Sequence, residues 1–156
     1  MKRPRGVRPR AQALPKGTDP SRVVAILTGV NYQVSGRLWL DEGFELACRI
    51  IVDTGSAASL IRQESLPKEV QLGPVDPEQY HMFDINGGLL PIVGSVKLTV
   101  RIGSYDTEVT FGVVPRMSVP VLLGTDYTDI HVPVISGPSR FIRLLNGDKC
   151  SSCAKL

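Results

Sequence analysis

The residues that make the clearest chemical demand are Ile50-Ile-Val-Asp53-Thr54-Gly55-Ser56. An apolar run suited to a buried strand ends in an acid, and the three residues after it are small and rich in hydrogen-bonding groups. Burying a carboxylate costs several kcal/mol unless it is paired or hydrogen-bonded, so this position needs a reason to exist. It has two readings: an acid put to chemical use, or a strand ending in an Asp-Thr-Gly turn in which the aspartate caps the backbone. From average composition an Asp-Thr-Gly triplet arises by chance in roughly a few per cent of chains this long, and a preceding apolar triplet lowers that about tenfold.

The other chemistry-bearing residues form weaker constellations. Cys150-Ser-Ser-Cys153 has metal-like spacing, but nothing after it completes a zinc site, and His81 and His131 lie far back in the sequence. These thiols read as part of a flexible tail, and no metal or cofactor is expected. Cys48 alternates with apolar residues and reads as a small core hydrophobe. No Gly-x-Ser-x-Gly and no phosphate loop is present. Asp84, Asp126 and Asp129 read as capping or surface groups, with Asp126 in Gly-Thr-Asp an ordering acceptor near a helix start.

The elements that must position Asp53 are short strands. From Val23 onward, runs rich in Val, Ile, Leu and Thr are separated by Gly, Pro, Asn and Asp. Val23–Thr28 reads as one strand, and Arg37–Leu40 alternates before the turn Asp41-Glu-Gly43. Phe44, Leu46, Cys48, Ile50 and Val52 then point inward at every second position of a returning strand, making a hairpin. Ser59–Leu66 is a short strand passing into a helical turn that Pro67 stops. Tyr80–Ile85 and Leu89–Val93 flank Asn86-Gly87-Gly88, a hairpin tip where Asn and Gly accept positive φ. Long strands follow through Ser95–Ile102 and Glu108–Val114, joined around Gly103. Pro120–Leu123 runs into one short helix over 124–130, and Arg140–Leu145 is a last strand. Many short strands with little helix predict an all-β barrel or sandwich.

Charge divides the chain. Residues 1–22 hold seven Lys and Arg against one acid, a local charge of +6, while the remaining 11 bases and 14 acids give −3. The first 22 residues therefore read as a disordered basic tail, residues 23–145 as the folded domain, and 146–156 as a flexible C-terminal tail. The tail reads first as solvated; contact with nucleic acid is its second reading. No run of 18 apolar residues exists, so no membrane span is expected. The charged N-terminus does not look like a secretory signal, and an intracellular, reducing compartment is the expectation.

From about Arg37 to Ile130 the sequence resembles the retroviral and retrotransposon aspartic proteases, the retropepsins. The segment 51–56 looks like that family's catalytic loop. Phe83-Asp-Ile-Asn-Gly-Gly-Leu-Leu-Pro-Ile-Val-Gly94 is similar to its flap hairpin, particularly in gypsy-type elements, and Val121-Leu-Leu-Gly-Thr-Asp-Tyr127 resembles the segment leading into its helix. The resemblance implies a closed acid-protease-like barrel with one short helix, a single-lobe protomer that dimerises. It implies an endopeptidase acting on extended peptides, in the manner of retroelement-polyprotein processing.

Such an enzyme holds two carboxylates a few ångströms apart, where both cannot ionise and one proton is shared. One polarises a water as general base; its protonated partner donates to the scissile carbonyl. With a single Asp-Thr-Gly in 156 residues, the second carboxylate is expected from Asp53 of a second copy across a two-fold axis. The resemblance gives Thr54 a hydrogen bond across that axis, Gly55 an amide donor to a carboxylate, and Ser56 a hydroxyl on the outer carboxylate oxygen. Ile85, Gly87 and Gly88 become a mobile lid over substrate. Leu122 would line a substrate pocket, and Gly124 would let the helix pack under the loop. The rival reading keeps the same fold as a dimerising or peptide-binding module with little or no hydrolysis; a nucleic-acid-binding barrel is a more distant third, since its strands lack interleaved aromatics.

Overall fold

A computed structural model describes residues 32–40, 43–75, 88–137 and 139–152. The expected strands over 23–28 and 80–85, Asn86 and Gly87 of the expected hairpin tip, His81, Asp84, Cys153 and the basic tail lie outside these residues.

Strands β1 (Tyr32–Trp39) and β2 (Glu45–Val52) form the expected hairpin, with β1 beginning five residues before the predicted Arg37. β3 (Leu60–Arg62) passes into a 3-10 turn over Gln63–Ser65. β4 (Gly94–Ile102) and β5 (Tyr105–Val114) pair along their whole length around Gly103, which sits at φ +61 where a side chain is disfavoured. β6 (Val121–Leu123) precedes helix α1 (Thr125–His131). These six strands close a barrel in the order β1-β2-β6-β3-β5-β4, β4 returning to β1.

Period-2 alternation explains the closure. Val34 and Leu38 of β1, Ile50 and Val52 of β2, Val96, Leu98, Val100 and Ile102 of β4 and Phe111 of β5 fill one interior, while Arg37, Glu45, Arg49 and Arg101 face water. Phe44, Leu46 and Cys48, half-buried, pack against the same core. Each large core side chain contributes about 1.5–3 kcal/mol on burial. Tyr127 of α1 closes the bottom.

The chain beyond α1 differs from the sequence reading. β7 (Val134–Ser136), β8 (Phe141–Arg143) and β9 (Lys149–Ser151) form a second, antiparallel sheet in the order β7-β8-β9. Residues 146–152 are therefore a turn and a paired strand, where a flexible tail was expected. Ile142 and Leu144 reach into the barrel core. The Tyr32 hydroxyl donates to the Ser136 carbonyl at 2.8 Å, and the Gln33 amide donates to the Ser152 hydroxyl at 3.1 Å, so the sheet is tied to the start of β1.

The placement of β6 matters most for the site. It runs parallel to β2 and antiparallel to β3, so it lies between two strands that are consecutive in sequence. The connection 53–59 must cross over the end of β6, and that crossing carries Asp53.

Candidate active site

The crossing loop is built from the backbone outward. The Asp53 amide donates to the Leu123 carbonyl at 2.9 Å, extending the β2–β6 ladder by one residue and fixing where the side chain leaves the strand. The Ser56 amide donates to the Asp53 carbonyl at 3.1 Å, closing a tight turn. Asp53 is 1% exposed, and its Oδ1 accepts the Gly55 amide at 2.8 Å, the bond expected of that glycine. A hydrogen bond to the charged form of a carboxylate is among the stronger ones, about 1.5–3 kcal/mol. Thr54 and Gly55 stand exposed at the crest of the loop.

Ser56 takes a different role from the one expected. Its hydroxyl is buried and donates to the Ala58 carbonyl at 2.7 Å. A hydroxyl has one proton to give, so Ser56 stiffens the loop and leaves the outer oxygen of Asp53 to other partners.

Below the loop, α1 and β3 are bonded together through one serine. Ser59 is buried; its amide donates to Asp126 Oδ2 at 3.0 Å, its hydroxyl donates to Asp126 Oδ1 at 2.7 Å, and that same hydroxyl accepts the Gly124 amide at 3.1 Å. The Thr125 amide donates to the Ser56 carbonyl at 2.8 Å. Asp126 is thus the ordering acceptor at the helix start that the sequence suggested, with its partner 67 residues away. Burial raises the pKa of its carboxyl, and the Ser59 hydroxyl and amide pull in the opposite direction. Gly124 sits directly under the crossing: a Cβ there would lie 2.5 Å from the Ser56 carbonyl oxygen and 2.6 Å from that of Ala58. The close approach expected at this glycine is present.

Leu122 is 1% exposed, in register with Ile51 on one side and Leu60 on the other. It supports the Asp53 loop from within the packing and has almost no surface in this protomer to line a pocket. Beside the loop a second apolar cluster forms: Ala58, Leu60 and Val114 are buried, with Val75, Leu90, Ile92 and Met117 half-covered against them. Leu90 and Ile92 belong to the expected flap hairpin, and Gly88, at its described edge, is exposed. Ile85 and Gly87 lie outside the described residues. Val75 and Met117 had no signal in the sequence, since both sit in Pro-containing segments without periodicity.

The thiols take no part in this site. Cys48 is half-buried, with burial pushing its pKa to about 11, as suits a small core residue. Cys150 is not in a loose tail; it is half-buried in β9 and packs against the barrel core. Among the described residues no three of His, Cys, Asp and Glu converge as metal ligands would.

No protein-family model and no curated protein matches the chain. Among solved structures it is similar to the retroviral protease-like domain of Ddi1 from Leishmania major, at 13% identity and a TM-score of 0.54 over 81% of this chain and 96% of that one. A likeness at this identity speaks to the backbone: the closed six-stranded barrel with its one helix has a retropepsin-like fold.

Proposed function

We propose that the chain is an aspartic endopeptidase that cleaves extended peptide segments with a water held between Asp53 and Asp53 of a second copy. The observation that carries this reading is a carboxylate at 1% exposure that accepts the Gly55 amide, on a loop braced by the Ser56 hydroxyl and, from beneath, by Ser59 and Asp126. A capping aspartate on an ordinary turn has no need of such a support, whereas a catalytic acid must be held to within a fraction of an ångström.

In this reading the two Asp53 carboxylates titrate as a unit, and the singly protonated form is the active one. One carboxylate takes a proton from the water as it attacks; the other gives its proton to the carbonyl oxygen of the scissile peptide. Gly55 holds one carboxylate oxygen through its amide, and exposed Thr54 is free to bond across the two-fold. The flap residues Ile85, Gly87 and Gly88 bind the substrate backbone by strand addition and exclude water. Ser56, Ser59, Gly124 and Leu122 act from beneath. The natural substrate class is a polyprotein of the retroelement kind, and the catalytic unit begins near residue 23, behind the basic tail.

Purified chain incubated with a peptide library between acidic and neutral pH tests the reading. Cleavage blocked by a transition-state-mimicking aspartic protease inhibitor and abolished in Asp53→Asn is the expected result. Equal turnover by Asp53→Asn would remove the carboxylate from the chemistry.

A further inference from the structure

The connection from β5 to β6, residues 115–120, is constrained by the same threading that shapes the Asp53 crossing. β3 lies between β5 and β6 in the barrel, so this connection must pass over the end of β3, whose last residue is Arg62. Pro115 and Pro120 bound the crossing and bring no N–H donor to it. Arg62 holds it twice: its amide donates to the Pro120 carbonyl at 2.9 Å, and its guanidinium, through Nη1, donates to the Met117 carbonyl at 2.9 Å. Among the described residues these are the hydrogen bonds that reach 115–120. The Arg62 side chain is 26% exposed, and Glu64, whose Oε2 lies 3.4 Å from its Nε, is mostly in water, which screens that pair.

Met117 is the point at which this crossing meets the Asp53 loop. Its side chain packs against buried Ala58, Leu60 and Val114, and Leu90 and Ile92 of the flap segment cover the same cluster. Ala58 belongs to the Asp53 loop, so the cluster spans from that loop to the flap segment, the path that an extended peptide at Asp53 would take. β3 separates the two crossings by about 10 Å, roughly three residues of extended peptide, so Met117 is within reach of a side chain near the cleavage point. None of these cluster residues carries a charge or a hydrogen-bonding side chain, which suits an aliphatic group. A methionine side chain is unbranched and adapts to the space its backbone leaves. The size of that space therefore depends on where the Met117 backbone stands, and Arg62 sets it.

We propose that Arg62 is a positioning residue for substrate selection: by holding Met117 opposite Leu60 and Ile92, it selects a large aliphatic side chain close to the scissile bond. The inference rests on the peptide-cleaving reading for the path of the substrate, and its test reads binding without turnover.

The probe is an alanine hexapeptide with a reduced, uncleavable central bond, carrying a single leucine at each position in turn. It is titrated into the full chain labelled at its methionine methyls, with the Met117 signal identified by its loss in Met117→Ala. At one position leucine should bind about fivefold or more tightly than alanine and shift the Met117 methyl. Met117→Ala and Arg62→Met should each reduce that preference to about twofold or less, while the all-alanine peptide binds within about twofold of its natural affinity. Arg62→Lys, which keeps a donor for the Met117 carbonyl, should restore roughly half of the preference. A general loss of structure would instead weaken both peptides alike and overturn the selective role. If Arg62→Met does not fold, the natural chain decides: its Arg62 guanidinium protons should exchange with water about tenfold more slowly than those of exposed Arg116, and equal exchange overturns the proposal. A leucine preference that is unchanged in Met117→Ala or Arg62→Met, or absent at every position, overturns it as well. Equal turnover by Asp53→Asn would remove the chemistry without touching this preference, so the two readings fail on different measurements.

Discussion

Adding one methyl group at Gly124 tests whether the Asp53 loop is held from beneath as described. A Cβ at this position would lie 2.5 Å from the Ser56 carbonyl oxygen and 2.6 Å from that of Ala58, and contacts under 3.0 Å essentially never occur. Both obstacles are backbone, so no side chain can swing away; the crossing must rise by about half an ångström or more. That movement strains two bonds at once, the Thr125 amide to the Ser56 carbonyl at 2.8 Å and the Ser56 hydroxyl to the Ala58 carbonyl at 2.7 Å. Overpacking costs about 1–3 kcal/mol and one weakened buried hydrogen bond adds about 1, so Gly124→Ala should lose roughly 2–4 kcal/mol. For a domain of this size that is a fall in thermal midpoint of roughly 6–16 °C. Thermal unfolding by circular dichroism reads the stability, and cleavage at a temperature where the variant is still folded reads the loop, where turnover should fall at least tenfold because Asp53 rides on the displaced segment. A midpoint within 2 °C of the natural chain, by the same scale, would mean that the helix does not press on the loop and would refute the reasoning.

Three further outcomes follow from the same bonds. Asp126→Ala leaves the buried Ser59 amide without an acceptor and should cost about 2–3 kcal/mol in denaturant unfolding. Asp126→Asn keeps an acceptor for that amide but turns an NH2 toward a hydroxyl that needs an acceptor, so about 1 kcal/mol is expected; equal losses for the two variants would contradict the two-oxygen arrangement. Burial holds His131 below its ordinary pKa, so the unfolded chain binds that proton more readily than the folded one. Its contribution to stability is full above about pH 6.5 and is lost as pH falls through the lowered folded value, so a melting series in that range should show the loss in the natural chain and a flatter profile in His131→Gln.

The parts of the fold that were legible in sequence are those where one face of a long strand is buried. β4 alternates over all nine of its residues, β2 over its first six and β5 over its first seven, and the alternation follows from the single barrel interior they enclose. Gly103 and Gly124 were legible because each occupies a place where a side chain has no room or no allowed φ. β7 and β9 were not, since three residues cannot display a period; they are strands because β8 lies between them and supplies their bonds. Asp126 could be read as an acceptor, but its donor could not, because the Ser59 contact exists only once β6 has been threaded between β2 and β3. The proton of Ser56 was assigned to the wrong acceptor for a related reason: Asp53 and Ala58 are both close in sequence, and only the shape of the crossing brings the Ala58 carbonyl to the hydroxyl. Leu122 shows the converse limit. Val-Leu-Leu reads as apolar throughout, and register alone reveals which side faces the barrel and which faces Ile51 and Leu60.

The central claim is that two copies of Asp53 make one active site. Mixing natural and Asp53→Asn chains in equal amounts, at constant total concentration and after subunit exchange, tests it most directly. If both carboxylates are needed, only pairs of natural chains cleave, and activity falls to about a quarter of the unmixed value, following the square of the natural fraction. Activity at one half, linear in the natural fraction, would show that each chain works with its own Asp53 alone and would contradict the account.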